Sequence, residues 1–182
     1  MKTSYIALLR GINVGGKNII KMEMLKQCFA EMVFFDVKTY IQSGNVIFKT
    51  EETDKLKLTK NIENQLKKTF SAEIKILVIT ADELVETIEN APENFGTEPE
   101  KFRYDVWFLL PPVTANNIVQ NICLREGVDF LQAGKNAVYT SRLTNQMGKS
   151  YLSKIMKTPI YKNFTIRNWN TTTKLLELAN NL

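Results

Sequence analysis

The residues best suited to chemistry lie in one short stretch, Arg10-Gly11-Ile12-Asn13-Val14-Gly15-Gly16-Lys17-Asn18. Glycine-rich backbone lets N–H groups converge on a phosphate without Cβ interference, and a neighbouring base can then reach the oxygens. Gly11, Gly16 and Lys17 match the spacing G-x-x-x-x-G-K of a phosphate loop, but Asn18 stands where a magnesium-binding hydroxyl is required. Ile19-Ile20 also delays the next helix, so hydrolysis of the P-loop type is not expected. Two readings remain: anion or phosphate contact through Arg10, Asn13, Gly15, Gly16 and Lys17, or a tight irregular loop that the glycines simply permit. A second polar cluster is Ser43-Gly44-Asn45. Ser43 beside Gly44 has the outline of a nucleophile turn, but no base is placed to activate it.

The 182 residues contain no histidine, which excludes Ser-His-Asp and Cys-His catalysis, imidazole general bases and His-ligated zinc. Two cysteines, Cys28 and Cys123, cannot form a four-cysteine metal site or a disulfide framework, and both are expected to be buried, inert thiols. No metal and no cofactor is expected. Charge is unevenly spread within a formal net of +5. Between Ala81 and Asp105 eight acids face only Lys101 and Arg103. Between Phe130 and Leu176 there is no acid, while Lys135, Arg142, Lys149, Lys154, Lys157, Lys162, Arg167 and Lys174 are interleaved with Tyr139, Tyr151, Tyr161, Phe164 and Trp169. Such a segment can steer and hold polyanions, although a solvated basic face over ordinary core aromatics has the same composition. The signature of an aromatic RNA-recognition platform is absent.

The elements that must position these residues follow from periodicity. Apolar residues make up 44% of the chain, ample for one domain or two small ones. No apolar run approaches the length of a membrane span and Met1-Lys2-Thr3-Ser4-Tyr5 opens no leader, so a cytoplasmic protein without membrane association is expected. Tyr5 to Arg10 reads as a strand and Gly11 to Ile20 as a loop. Met22, Leu25, Phe29 and Met32 trace a helical face. Val37 to Gln42 and Val46 to Lys49 flank the turn at Ser43-Gly44-Asn45 as a hairpin. Leu58, Ile62, Leu66 and Phe70 make a second helical stripe, and Ile74 to Ile79 a last strand. Thr80-Ala81-Asp82-Glu83 is a capping box opening a further helix. The order β-α-β-β-α-β is the split βαβ, or ferredoxin-like, unit.

The second half repeats the pattern. Tyr104 to Leu110 is a strand, Ala115 to Cys123 a short helix, and Val128 to Gln132 with Ala137 to Ser141 a hairpin around Gly134. Leu152, Ile155 and Met156 mark a helix, Phe164 to Arg167 a strand, and a final helix takes Asn170 as its N-cap. The expected class is therefore α+β, with two ferredoxin-like (βαββαβ) subdomains and added helices. Residues 1–90 form the first half plus an extra helix, 91–103 a Pro/Gly-containing linker, and 104–182 the second half with its C-terminal helix. Tyr5 to Leu9 and Val106 to Leu110 are apolar at every position, which requires both faces of each sheet to be covered, by helices on one side and by the other half or a second subunit on the other. In a split βαβ unit the loop after the first strand and the hairpin turn lie at the same end of the sheet. Arg10 and Asn13 are thus expected beside Ser43 and Asn45, forming a polar pocket, although Asn45 also suits a plain type I′ turn.

Three stretches carry a resemblance: Ala7-Leu8-Leu9-Arg10-Gly11-Ile12-Asn13-Val14-Gly15-Gly16, Gln42-Ser43-Gly44-Asn45-Val46-Ile47-Phe48, and Thr165-Ile166-Arg167-Asn168-Trp169-Asn170-Thr171. Together they resemble the signature stretches of a widespread bacterial family catalogued only as a domain of unknown function. The resemblance implies two ferredoxin-like subdomains, agrees with the polar residues already singled out, and adds Arg167, Asn168 and Asn170 to them. It implies no activity, substrate or cofactor. The expected function is binding of an anionic ligand, nucleic acid or a nucleotide. The alternatives are an enzyme acting on a phosphorylated small molecule at the Arg10 to Asn18 loop, and a homo-oligomerising module whose basic segment meets an acidic partner.

Overall fold

The computed structural model describes residues 2–14, 16 and 18–182; the expectations for Gly15 and Lys17 lie outside them. The chain divides into two compact units, Met1–Leu84 with Lys174–Leu182, and Val85–Thr173. The first contains a four-stranded antiparallel sheet in the order β2-β3-β1-β4, built from β1 (Thr3–Leu9), β2 (Phe35–Tyr40), β3 (Asn45–Thr50) and β4 (Ile76–Thr80). This is the ferredoxin-like order. β1 is central and dry on both sides: Tyr5, Ala7 and Leu9 on one face and Ile6 and Leu8 on the other are all buried. The Tyr5 face packs on α1 (Met22–Ala30) through Leu25, Cys28 and Phe29, and on α2 (Lys55–Phe70) through Leu58, Ile62 and Leu66. The spacing of those six residues is the apolar stripe legible in the sequence.

Local chemistry ends the elements where the residues dictate. The Asp54 side chain accepts from the N–H groups of Leu56 and Lys57 and so caps α2, whose last turn closes on Ser71 in the left-handed region. The capping box at α3 (Ala81–Glu89) is reciprocal. Glu83 N–H donates to Thr80 Oγ1 at 3.1 Å, and Thr80 N–H donates to Glu83 Oε2 at 2.9 Å.

The second unit repeats the topology in the order β6-β7-β5-β8, with β5 (Phe102–Leu109), β6 (Asp129–Ala133), β7 (Ala137–Leu143) and β8 (Phe164–Asn168). Its core stacks Trp107 on Phe164 with ring centroids 4.5 Å apart, beside Leu109, Ala115, Ile118, Val138 and Ile155. A second aromatic group gathers on Phe95, which meets Tyr104, Tyr139 and Trp169 edge-on. Residues 91–103, read as a linker, thus belong to the second unit, with Phe95 packed and Phe102 already in β5. The division falls instead inside α3, after Leu84, and inside α5 (Trp169–Asn180), before Lys174.

Three further expectations are corrected. The helix at Leu152 to Met156 is not an α-helix but two 3₁₀ segments, Leu152–Lys157 and Pro159–Asn163. Thr158 between them is extended, as a residue before proline prefers, and this halts the helical run. The helix at Ala115 ends at Val119 (α4, Ala115–Val119), after which Asn121 and Ile122 donate to carbonyls three residues back. α5 begins one residue after β8, so its cap is Asn168 and not Asn170. Asn168 Oδ1 accepts from Asn170 N–H at 3.1 Å.

Tyr139 supplies a pH-dependent test of the second core. Its hydroxyl donates to the Thr87 carbonyl at 2.5 Å, and burial, with Glu86 adding to it, pushes the phenol from 10.0 up to about 12. The folded state thus favours the protonated phenol. That contribution is complete below pH about 10 and is lost as pH rises through about 12. Urea unfolding should show midpoints falling across this window, and Tyr139→Phe should show a shallower fall and a lower midpoint at neutral pH.

Candidate functional site

The loop after β1 and the β2–β3 turn meet at one end of the first sheet, as the strand directions require. Leu9 N–H donates to the Gly44 carbonyl at 2.8 Å, and Arg10 N–H donates to the Lys75 carbonyl at 2.9 Å. Asn13 joins the two connections. Its Nδ2 donates to the carbonyls of Ile20 (3.0 Å) and Gln42 (2.8 Å), while Ile20 N–H donates to its Oδ1 at 2.8 Å. Its backbone is left-handed, with φ 54°, a conformation asparagine tolerates better than most residues. Asn18 Nδ2 donates to the Gly11 carbonyl at 3.2 Å and closes the loop from its far side.

Asn45 is fully buried and is the first residue of β3, not a left-handed turn residue; its Nδ2 donates to the Tyr40 carbonyl (2.9 Å) and to Ser43 Oγ (3.0 Å). Positive φ falls on Ile41 and Gly44 instead. Both carboxamides therefore spend their N–H donors on the protein itself. Gly44 is indispensable on two counts. Its φ is +77°, and a Cβ there would lie 2.6 Å from Ile12 Cδ1 and 2.8 Å from Leu9 Cβ. Gly16 has φ +74° but nothing within 4 Å of a Cβ, so this part of the loop is open.

The Arg167 stretch belongs to the second unit, and its residues have distinct duties. Arg167 is buried, and its Nη1 donates to Thr165 Oγ1 (2.9 Å) and to the Ile166 carbonyl (2.8 Å). Burial draws its guanidinium down to about 10, with Tyr161 acting the other way, so it stays charged at neutral pH. Asn168 Nδ2 donates to the Tyr104 carbonyl at 2.9 Å. Trp169 packs against Gly96, where a Cβ would come 2.2 Å from its indole nitrogen. Asn170 is exposed and, with Asn168, Trp169 and Arg103, lines a hollow of about 270 Å³.

The acid-free segment separates into two classes of base. Lys135 pairs with Glu86, Lys174 with Glu177, and Arg142 with the buried Asp105 that Arg103 also meets. Lys149, Lys154, Lys157 and Lys162 are exposed and make no ion pair among the described residues. All four sit on or beside the two 3₁₀ segments. Of the interleaved aromatics, Tyr139 and Phe164 are buried in core clusters, and Tyr151 is exposed. Asp129, which sequence reading missed, anchors this strap. It accepts from Ser150 Oγ (2.5 Å), Tyr151 N–H (2.8 Å) and Arg125 N–H (2.9 Å). Its position one residue before the acid-free run was the available signal.

Cys28 is buried and its thiol is pushed up by desolvation, against a hydrogen bond with Thr69; Cys123, expected to be buried, is exposed because α4 ends four residues earlier. Among the described residues no three His, Cys, Asp or Glu side chains are placed to hold a metal ion, and no helix is long and apolar enough to cross a membrane.

A family model described as "Protein of unknown function (DUF1697)" matches residues 1–139. The chain belongs to this family. The matched residues include the Arg10 and Ser43 stretches and end before the Arg167 stretch. The chain is also similar to the solved structure of a conserved bacterial protein, SP0830 from Streptococcus pneumoniae. That likeness has 25% identity, a TM-score of 0.84, and covers 98% of this chain and 99% of that one. The α+β fold of this chain is thus similar to that one over nearly the full length of both. No curated protein matches the chain.

Two glycines of nearly equal φ separate backbone strain from crowding. Gly16→Ala should cost about 1 kcal/mol, the left-handed penalty alone. Gly44→Ala should cost about 3 kcal/mol or more, because the Leu9 and Ile12 contacts add overpacking. Asn13→Ala should cost about 2–4 kcal/mol through three lost hydrogen bonds and the unfavourable φ, with Asn13→Gly recovering about 1 kcal/mol of it. Chemical denaturation of the three alanine variants and Asn13→Gly checks the order.

Proposed function

We propose that this protein binds phosphate-bearing polyanions, nucleic acid in the first place, through Lys149, Lys154, Lys157 and Lys162 of its second unit, and does so in the cytoplasm. The observation that carries the reading is the contrast within the acid-free segment. Half of its bases are consumed by ion pairs or burial, while these four stay exposed on a stretch that offers no carboxylate. A cation without an internal carboxylate partner keeps its attraction for an external anion. The exposed Tyr151 adds a ring on which an unpaired base can stack.

Four phosphate contacts set the salt dependence. The slope of log K against log salt should be roughly −4 on duplex and roughly −3 on single strands. Replacing all four lysines by alanine should remove most of that slope and weaken binding alike for all sequences, since phosphate contacts carry no base information. Lys60→Ala with Lys68→Ala is the control. These lysines are exposed without an ion pair on α2, a helix that also carries Glu63. Arg10→Ala serves as a second control, because a small phosphorylated ligand at the first-unit loop would be lost with it. Fluorescence anisotropy with labelled oligonucleotides at several salt concentrations decides. No binding at low salt, or equal losses in the α2 control, overturns the proposal.

A further inference from the structure

The second unit contains a cavity of about 830 Å³ that shares Tyr151 and Lys162 with the reading above but is otherwise separate from it. Its lining is largely aliphatic, with Val113, Ile118, Ile122, Ile155 and Ile160. One wall is α4 with the turns that follow it, and the other is the pair of 3₁₀ segments held by Asp129. The size lies within the range of small-molecule sites, and a mainly apolar lining with a few polar groups is their usual make-up. Polar groups do converge on it. Lys162 and Asn163 line the cavity, and neither side chain has a hydrogen-bond or ion-pair partner among the described residues. Asn117 accepts from the Thr114 hydroxyl at 2.6 Å through Oδ1, which leaves its N–H₂ group available.

Charge identifies the occupant. Residues 111–123 and 150–163, which supply every lining residue, contain Lys154, Lys157 and Lys162 and no carboxylate at all. An aliphatic lining that also carries ammonium and amide donors is complementary to an amphiphile with an anionic head. We propose that this cavity binds a small amphiphile with a flexible aliphatic body and one anionic head, the head meeting Lys162 and the amides of Asn117 and Asn163. The branched aliphatic lining favours a chain over a flat ring system. The site needs one ammonium group and the polyanion reading needs a row of them, so the two share Lys162 but can fail separately.

Cys123 lines the cavity and is exposed, whereas Cys28 is buried, so a single thiol reports on occupancy. Sodium dodecanoate, below its micelle concentration, is the probe. It should slow alkylation of Cys123 by iodoacetamide at least about fivefold and saturably, with Cys28 as internal reference. Dodecanol should bind about tenfold more weakly by calorimetry, since it lacks the charge. Lys162→Met should weaken dodecanoate about five- to tenfold and leave dodecanol unchanged. Ile122→Asn should abolish protection while adding no charge and keeping all four lysines, and so leave oligonucleotide affinity intact. Cys123→Trp puts an indole into the cavity without replacing a buried residue and should abolish the calorimetric signal. Absence of protection, equal binding of dodecanol, or undiminished binding in both cavity variants overturns the proposal. Loss of oligonucleotide binding alone leaves it standing.

Discussion

A central strand buried on both faces leaves its polar groups nowhere to go but the ends. Tyr5 to Leu9 and Val106 to Leu109 are such strands, one in each unit, and neither presents a wet face on which a binding platform could be built. Whatever meets solvent and ligand is therefore displaced to the connections. In the first unit those are the β1–α1 loop and the β2–β3 turn; in the second they are the α4 turns and the 3₁₀ strap. The repeated strand order makes the two units look alike, yet this displacement lets them differ, because connections can change without disturbing the ladders.

The polar residues at the first-unit end do a structural job that resembles a functional one. Asn13 substitutes its carboxamide for a strand that is not there, satisfying Ile20 on one side and Gln42 on the other. Gly44 then allows Leu9 and Ile12 to pack directly over the turn. In the second unit Asp129 plays a comparable part, since one buried carboxylate fixes Ser150, Tyr151 and Arg125. The same carboxylate is turned inward, so it does not neutralise the lysines of the strap that it positions.

Most of the fold was legible because periodicity is a local property. Both β-α-β-β orders, the α2 stripe and the Thr80 capping box could be read from residue spacing alone. Misreadings arose where a tertiary partner or a proline overruled the local pattern. Leu152, Ile155 and Met156 keep helical spacing, but the extended Thr158 before Pro159 and the Asp129 anchor hold the segment in 3₁₀ turns. The juxtaposition of Asn13 with the hairpin followed from topology. That its amide would be consumed there did not, because hydrogen-bond partners 29 residues apart leave no trace in local spacing. The cavity was invisible for the same reason: its walls are separated in the chain by the β6–β7 hairpin.

The first unit is discontinuous in the chain. Lys38 Nζ donates to the Asn181 carbonyl at 2.7 Å and Lys49 Nζ to the Leu182 carbonyl at 2.8 Å, while Leu175 and Ala179 are buried. Residues 174–182 thus complete a unit whose other members are made before residue 85. On a ribosome, everything from Val85 to Thr173 emerges in between, a delay of roughly ten seconds at ordinary translation rates. During that interval the first unit is without its closing segment, and Lys38 and Lys49 lack the backbone carbonyls that they will later meet. The second unit, continuous in sequence, has no such wait, so the order of synthesis and the order of completion run opposite to each other.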